Sequence, residues 1–440
     1  YCCMLLSDLS PLGGMTGLTT LDLSCCDLVQ VLSPLARLVR LTSLDLGSCK
    51  GVSDLAPLGR LLALTSLNLG GCERVSDLTP LAALVNLTQL NLNSCKAVAD
   101  LTPLGRMSQL ASLNLSSCTL VSSWAPVSRM GNLTSLNLSG CEQLNVLPTL
   151  DALGRLTSLD LSGCKNLRDI AAVARLKALT SLSVSNCEQL ADLAPISGLT
   201  ALTNLTAYNC KSLRSTAPLA RLRNLNYLWM PNCEQLTDLS GVSGLSQAKR
   251  LDLSGSKQLA DLSPLAPMIW LEELNLSQCE SVRDLAPLTR LVNLTSLNLA
   301  GCKQIADLRA LAGLARLKSL DLAGCEQFAD FSALAGCPQL ESLDLPGTLT
   351  DVQFRQAGPG LAALTQLRIN GTKQLTDLSP LAKCVRLTNL SLANGEAFSD
   401  LRPLAGLRQL RSLSLGGCKL VQDLTPLASL PALIDLEIGY

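Results

Sequence analysis

Cysteine is the residue type with the most evident reactivity in this 440-residue sequence, which holds 19 Cys and no His. Without an imidazole, the chain can form neither a Ser–His–Asp triad, nor a Cys–His pair, nor a zinc site that uses His. Glu272 and Glu273 are adjacent carboxylates, but on a strand adjacent side chains point to opposite faces. No two Cys stand in a C-x-x-C spacing. We therefore predict a protein that is not an enzyme and that binds no metal or other cofactor.

Most of the cysteines share one period. Fifteen of them keep the same place in a 23-residue repeat, at positions 3, 26, 49, 72, 95, 118, 141, 164, 187, 210, 233, 279, 302, 325 and 418. One interpretation is metal or redox chemistry. The other, which we favour, is a buried ladder of thiols whose weak S–H donors satisfy the turn after each strand. So many thiols fit a reducing compartment, which predicts a cytoplasmic protein, with cytoskeletal association left open.

The leucines follow the same period. The pattern L-x-x-L-x-L begins at Leu18 and recurs in 23-residue steps up to Leu433, apart from one 24-residue step that leads to Leu364. Leu67 and Leu69 alternate with polar residues, which predicts a short strand with Leu inward. A single repeat cannot bury its apolar face, so neighbouring repeats must stack. The sequence predicts an α/β-type solenoid, an arc with a parallel concave β-sheet and short 3₁₀ or turn segments on the convex side.

The repeat resembles that of leucine-rich-repeat proteins over essentially the whole chain. A typical unit reads L-T-S-L-N-L-x-G-C-E-x-V-S-D-L-T-P-L-A-x-L-x-x. Its D-L-x-P-L-x-x-L half is similar to the internalin-type repeat, and its Cys is similar to that of cysteine-containing repeats. The combination, at 23 residues, most resembles the leucine-rich-repeat proteins of trypanosomatid protists. We expect a single solenoid of about 19 repeats over residues 1–440, with both ends cut within a repeat.

The segments that return from one strand to the next carry their own signals. In Asp77-Leu78-Thr79-Pro80 the Asp side chain can accept a backbone N–H, and Pro suits the first helical turn, which predicts a 3₁₀ helix. This signal is lost near residues 345–360, where we predict an irregular convex insertion, either a bulged loop or a short helix. Trp124 and Trp270 are expected on return segments and partly buried.

The position after the Cys column alternates between Lys and Glu, as in Lys50, Glu73 and Lys96. Stacked repeats would bring these side chains about 5 Å apart, a distance at which like charges repel. Two explanations stay open, namely selection against this repulsion and duplication of two-repeat blocks. In both, the column is structural and is not a ligand site.

A cluster of unusual residues falls on the predicted concave face near the middle of the chain. Most repeats carry Ser with Asp or Asn there, whereas this region carries Asn204, Tyr208, Tyr227, Trp229 and Arg250. Tyr, Trp and Arg are the residue types enriched at binding hot spots. We predict that these five residues bind a partner; the alternative is drift on an exposed sheet or local packing among the rings.

Composition narrows the possible partners. Lys+Arg and Asp+Glu are both 35, and this balance argues against nucleic acid, whose phosphates require a basic surface. The longest uncharged stretch of the chain contains many polar residues, so we predict no membrane insertion. We predict a non-catalytic interaction scaffold that binds a protein or peptide on its concave face, as a subunit of a larger complex. Two alternatives remain: a structural spacer in a cytoskeletal or flagellar assembly, and the recognition arm of an enzyme whose catalytic domain lies outside this chain.

Overall fold

The computed structural model describes residues 3–439. The chain divides into two compact units, unit 1 up to Ser212 and unit 2 from Leu213 onward. The expectation of a single solenoid over residues 1–440 stays a prediction. Within the described residues, no helix is both long and apolar enough to cross a membrane.

Unit 1 contains short parallel strands that pair in chain order. Each central Leu pairs with the Leu 23 residues further along, as Leu44 does with Leu67, so the period of the sequence is the register of the sheet. The strands in the described part of unit 1 are β1 (Thr20–Asp22), β2 (Ser43–Asp45), β3 (Ser66–Asn68), β4 (Gln89–Asn91), β5 (Ser112–Asn114), β6 (Ser135–Asn137), β7 (Ser158–Asp160), β8 (Ser181–Ser183) and β9 (Asn204–Thr206).

Unit 2 repeats this arrangement. Its register holds across the 24-residue step, where Leu343 pairs with Leu367. The strands in the described part of unit 2 are β10 (Tyr227–Trp229), β11 (Arg250–Asp252), β12 (Glu273–Asn275), β13 (Ser296–Asn298), β14 (Ser319–Asp321), β15 (Ser342–Asp344), β16 (Gln366–Arg368), β17 (Asn389–Ser391), β18 (Ser412–Ser414) and β19 (Asp435–Glu437). The predicted parallel sheet is confirmed.

Short 3₁₀ helices return the chain from most strands to the next. The Asp77 carboxylate accepts a hydrogen bond from the Thr79 N–H at 2.8 Å, and Pro80 stands in the first turn of that helix. The predicted 3₁₀ helices are confirmed. Those in unit 1 are Ser10–Gly14, Ser33–Arg37, Ala56–Arg60, Thr79–Ala83, Thr102–Arg106, Val127–Arg129, Ala171–Arg175 and Ala194–Gly198; those in unit 2 are Ala217–Arg221, Ser240–Gly244, Ser263–Leu265, Ala286–Arg290, Arg309–Gly313, Ser332–Gly336, Gly358–Gly360, Ser379–Lys383, Arg402–Leu404 and Thr425–Ser429.

The irregular segment near residues 345–360 forms the α-helix α1 (Asp351–Ala357). A capping box begins it, because the Thr350 hydroxyl accepts from the Gln353 N–H and the Gln353 side chain accepts from the Thr350 N–H. Phe354 anchors the helix by full burial. Of the two predicted forms of this insertion, the structure adopts the short helix.

The core consists of stacked Leu columns, so few aromatic rings are needed. Leu44, Leu67 and Leu90 are almost fully buried on the inner side of the sheet. Trp124 lies inside this core, whereas Trp270 is 60% exposed. The expectation of a partly buried Trp270 was therefore wrong. The reason is that Trp270 lies just before β12, at a position that faces away from the Leu columns.

The charged column stacks with opposite signs, as its alternation predicts. Lys96 lies 3.0 Å from Glu73, Lys211 lies 3.4 Å from Glu188, and other pairs of the column are similar. These side chains are exposed, so each pair contributes only about 0–1 kcal/mol. Their main effect is to keep like charges apart along the stack.

Candidate functional site

A tight turn follows most strands, and many polar side chains on the open face of the sheet form hydrogen bonds to its backbone. Asn68, the last residue of β3, accepts the Gly70 N–H at 2.9 Å, and its side-chain amide donates to Asp45 on the preceding strand at 2.9 Å. Gly71 then adopts a left-handed conformation, with φ of 79°. The Asp and Asn of the sheet face are therefore turn acceptors. Sequence reasoning missed this role and treated them as free surface.

The Cys column completes the same turn from inside. The Cys72 thiol donates to the Leu46 carbonyl at 3.2 Å, and the Cys95 thiol donates to the Leu69 carbonyl at 3.1 Å. Burial raises the pKa of Cys49 to about 11 and that of Cys72 to about 12. A thiol held neutral in this way is a poor nucleophile and metal ligand. The buried ladder of hydrogen-bonding thiols is confirmed. Within residues 3–439, no three acidic or Cys side chains lie close enough to hold a metal ion.

Strand β10 departs from this plan on both of its open-face positions. Tyr227 and Trp229 stand there, with 37% and 36% of their surfaces exposed. Trp229 occupies the position of Asp252 and Asn275 on the next two strands. The side-chain oxygens of those two residues accept a hydrogen bond from the backbone N–H two residues later, in the turn. The residue that would donate to such an acceptor is Pro231, which has no N–H. An Asp or Asn at position 229 would therefore lack this hydrogen bond, so the position can carry an exposed aromatic ring instead.

Arg250 lies beside Tyr227 in the register of the sheet, as the sequence predicts, and Glu273 lies beside Arg250. The Arg250 guanidinium pairs with the Glu273 carboxylate at 3.1 Å, and both side chains are exposed. The two rings and this ion pair border a cavity of about 330 Å³, whose other walls include Asp252 and Asn275. We call Tyr227, Trp229 and Arg250 the sheet-face cluster. It is a shallow, partly apolar depression with one exposed ion pair.

The other two predicted site residues belong to unit 1. Asn204 is exposed on β9. Tyr208 is half-buried and lies two residues beyond the end of β9, on the turn. Its backbone N–H donates to the Ser185 hydroxyl at 3.2 Å, and its carbonyl accepts from the Asn186 N–H at 2.6 Å. The backbone of Tyr208 therefore serves the turn of unit 1.

A second unusual surface, which sequence reasoning missed, lies on an edge of unit 2. The position before each strand is mostly Thr in unit 1, where the Thr65 hydroxyl donates to the Thr42 carbonyl at 3.1 Å. In unit 2 this position is Lys249 before β11 and Glu272 before β12, and these two form an ion pair of 2.9 Å. They border a cavity of about 650 Å³ together with Trp270. We call this cavity the edge groove. The loss of Thr from a regular column was the sequence signal that could have revealed it.

Comparisons with known proteins agree with this architecture. The sequence profile described as leucine-rich repeats (2 copies) matches residues 269–313 and 292–336. No curated protein matches the sequence. Among solved structures, a leucine-rich-repeat protein of Leptospira interrogans is 20% identical, with 98% of each chain covered and a TM-score of 0.62.

Two proteins of Listeria monocytogenes are also similar. The functional domain of InlJ, which includes a cysteine ladder, is 22% identical, with 77% of this chain and 70% of that chain covered and a TM-score of 0.50. The internalin InlF is 25% identical, with 87% of this chain and 89% of that chain covered and a TM-score of 0.42. Together with the stacked strands and 3₁₀ helices, the profile and the Leptospira structure identify the architecture. This chain has the leucine-rich-repeat fold.

Proposed function

We propose that this chain is a non-catalytic scaffold that binds a protein or peptide partner through the sheet-face cluster of unit 2. Leucine-rich-repeat proteins commonly serve as protein-interaction scaffolds, since stacked repeats offer an extended binding surface. The observation that carries the proposal is the pair of exposed rings, Tyr227 and Trp229, on one strand of a sheet face that is otherwise polar.

Physical chemistry favours partner binding over drift at this place. More than a third of each ring stays in contact with water in the free protein, and its burial under a partner removes that apolar area from water. Arg250 and Glu273 add a charged pair at the rim of the same depression, where it can fix the orientation of the partner. An apolar side chain of the partner would fill the space between the rings.

The proposal includes three narrower expectations. We place the protein in the cytoplasm, with cytoskeletal association left open, because the ladder uses reduced thiols as hydrogen-bond donors. We expect it to be a subunit of a larger complex. We keep the closer resemblance to trypanosomatid repeat proteins as an expectation that rests on the 23-residue Cys-containing repeat.

Site-specific photo-crosslinking in the native cell tests this function. Benzoylphenylalanine would replace Tyr227 in one variant and Gln366 in another. Gln366 is the matched control, because it is exposed and holds the same strand position on β16. We expect a specific crosslinked protein from position 227 and none from position 366. Equal crosslinking from both, or from neither, would contradict a partner site at the sheet-face cluster.

The double change Tyr227→Ala with Trp229→Ala then measures the contribution of the rings. We expect affinity for the crosslinked partner to fall at least about tenfold, the scale of a hot-spot residue. The midpoint of unfolding should fall only slightly, because each ring leaves more than a third of its surface in water and neither belongs to the Leu core. Titration calorimetry measures this affinity, and an unchanged value would exclude the cluster as the binding site. Partner contacts found along the edges of the repeats instead would favour the structural-spacer alternative.

A further inference from the structure

The edge groove of unit 2 contains an exposed indole, which is rare in this chain. Trp270 is one of three Trp in the sequence, and 60% of its surface is exposed. The equivalent positions of the neighbouring repeats are Gln247 and Asn293, so the ring is not part of the repeat plan. Trp270 forms one wall of the groove.

The groove also has an excess of positive charge, because Lys249 and Arg316 line it with Glu272 as the one carboxylate among its lining residues. The Arg316 guanidinium donates to the Asn293 side-chain oxygen at 2.8 Å, and it forms no ion pair within residues 3–439. Glu272 is already paired with Lys249 at 2.9 Å. Lys249, together with the nearby Arg250 and Arg316, holds the pKa of the Glu272 carboxyl below its usual range. The groove therefore remains complementary to a further carboxylate.

Unit 1 contains a natural control for this arrangement. Arg155 donates to the Asn132 side-chain oxygen at 3.0 Å, and Asn132 in turn donates to the carbonyl of Ser108. Asn293 makes the same bond to the carbonyl of Ile269. The Arg–Asn link is therefore a structural feature of the edge. At the position of Trp270, however, unit 1 has Gln109.

The comparison isolates what is special in unit 2. The Lys249–Glu272 pair is replaced in unit 1 by Thr88 and Ala111. Of the two Arg–Asn links compared within residues 3–439, that of unit 2 alone stands beside an exposed ring and a second cation. A guanidinium presents several N–H donors in a fixed plane, which suits a carboxylate. A ring beside it offers apolar contact to the carbons that carry such a carboxylate.

We infer that the edge groove binds an acidic peptide segment of a partner protein. A carboxylate of the segment pairs with Arg316, in the groove that Lys249 also lines. An apolar side chain of the same segment packs on Trp270. This site uses different side chains from the sheet-face cluster and does not rest on the function proposed above.

The test uses a defined probe and the whole chain. The probe is an acetylated and amidated octapeptide in which Glu alternates with Leu, and the matched peptide has Lys in place of each Glu. Binding is followed by the indole N–H resonances of the three Trp, which are assigned from single Trp→Phe variants. We expect the Glu peptide to shift the Trp270 resonance, the Lys peptide to leave it in place, and added salt to weaken binding.

Two substitutions locate the contact. Arg316→Gln should weaken binding of the Glu peptide by about tenfold, the loss expected for one charge-assisted contact. Arg155→Gln, which breaks the same Arg–Asn link in unit 1, should leave binding unchanged. The double change Tyr227→Ala with Trp229→Ala should also leave it unchanged, so that failure of the edge groove and failure of the sheet-face cluster are distinguishable.

Several results would overturn the inference. These are an unshifted Trp270 resonance at saturating Glu peptide, equal binding of the Lys peptide, and an equal effect of Arg155→Gln and Arg316→Gln. A Trp270 shift that depends on protein concentration alone would assign the groove to contact between copies of this chain, and would likewise overturn the acidic segment as its occupant.

Discussion

At the scale of the residue, the Cys column shows why a sulfur atom suits this position better than an oxygen atom. A Cys thiol reaches the carbonyl of the previous repeat, as Cys279 does with Leu253 at 3.2 Å. Ser256 and Thr372 stand in the same column, fully buried, and their hydroxyls have no hydrogen-bond partner within the described residues. An oxygen on a shorter bond ends farther from that carbonyl and is more costly to desolvate.

This difference predicts that Ser256→Cys stabilises unit 2. The new thiol should reach a carbonyl equivalent to those that the neighbouring thiols use, and it should remove an unsatisfied hydroxyl, a gain of about 1 kcal/mol. The midpoint of urea unfolding, followed by circular dichroism, measures the change. Ser256→Ala is the control, because it removes the hydroxyl without supplying a donor, and it should gain less. A lower midpoint for Ser256→Cys would contradict this account of the column.

At the scale of the element, the hydrogen bonds at the first turn decide whether a 3₁₀ helix or an α-helix forms. Asp77 holds the first turn of a 3₁₀ helix through one acceptor. Helix α1 has instead the reciprocal bonds between Thr350 and Gln353, and Gln353 also donates to the Phe328 carbonyl at 2.6 Å. The extra residue of this repeat supplies the length that an α-helical turn needs, while the buried Phe354 holds the helix against the core.

The capping box gives a prediction for this element. Thr350→Ala should destabilise unit 2 by about 1 kcal/mol, because the Gln353 N–H loses its acceptor. Thr350→Ser keeps the hydroxyl and should cost less. Amide hydrogen exchange of residues 351–357 measures the effect locally. If both variants exchanged at the rate of the parent, the cap would not be what holds the helix.

At the scale of the whole molecule, the repeated thiols make stability depend on alkaline pH. Burial raises the pKa of Cys72, Cys164 and Cys302 to about 12, from 9.0 for a free thiol. A group whose pKa is raised by folding stabilises the fold fully below the unfolded pKa. That contribution is lost as pH rises through the folded value. Many such groups act together, because each unit contains several of these buried thiols.

The protein should therefore lose stability between about pH 9 and pH 12 more steeply than its Lys and Tyr content explains. Thermal unfolding across this range measures the loss, and thiolate absorbance reports ionisation of the ladder. The expected result is that thiolate absorbance rises together with unfolding and not before it. Full thiolate absorbance from a protein that is still folded would show that the thiols are not shielded.

The sequence determined most of the architecture, for a reason particular to repeats. When one unit stacks on the next, each sequence position becomes a column, so a local pattern also specifies its neighbours in space. The strands, the 3₁₀ helices and the thiol ladder all follow from that rule. So does the placement of Arg250 beside Tyr227, because the register of the sheet equals the repeat.

The tertiary structure alone decided which polar groups are used and which rings are exposed. The open-face Asn68 proved to be a turn acceptor, because its donor, the Gly70 N–H, is brought to it by the left-handed turn. Trp270 proved exposed, and the edge groove appeared where Lys249 and Glu272 replace Thr. These properties depend on the direction of each side chain and on the solvent left around it. A pattern of residue types encodes the columns but does not encode the space between them.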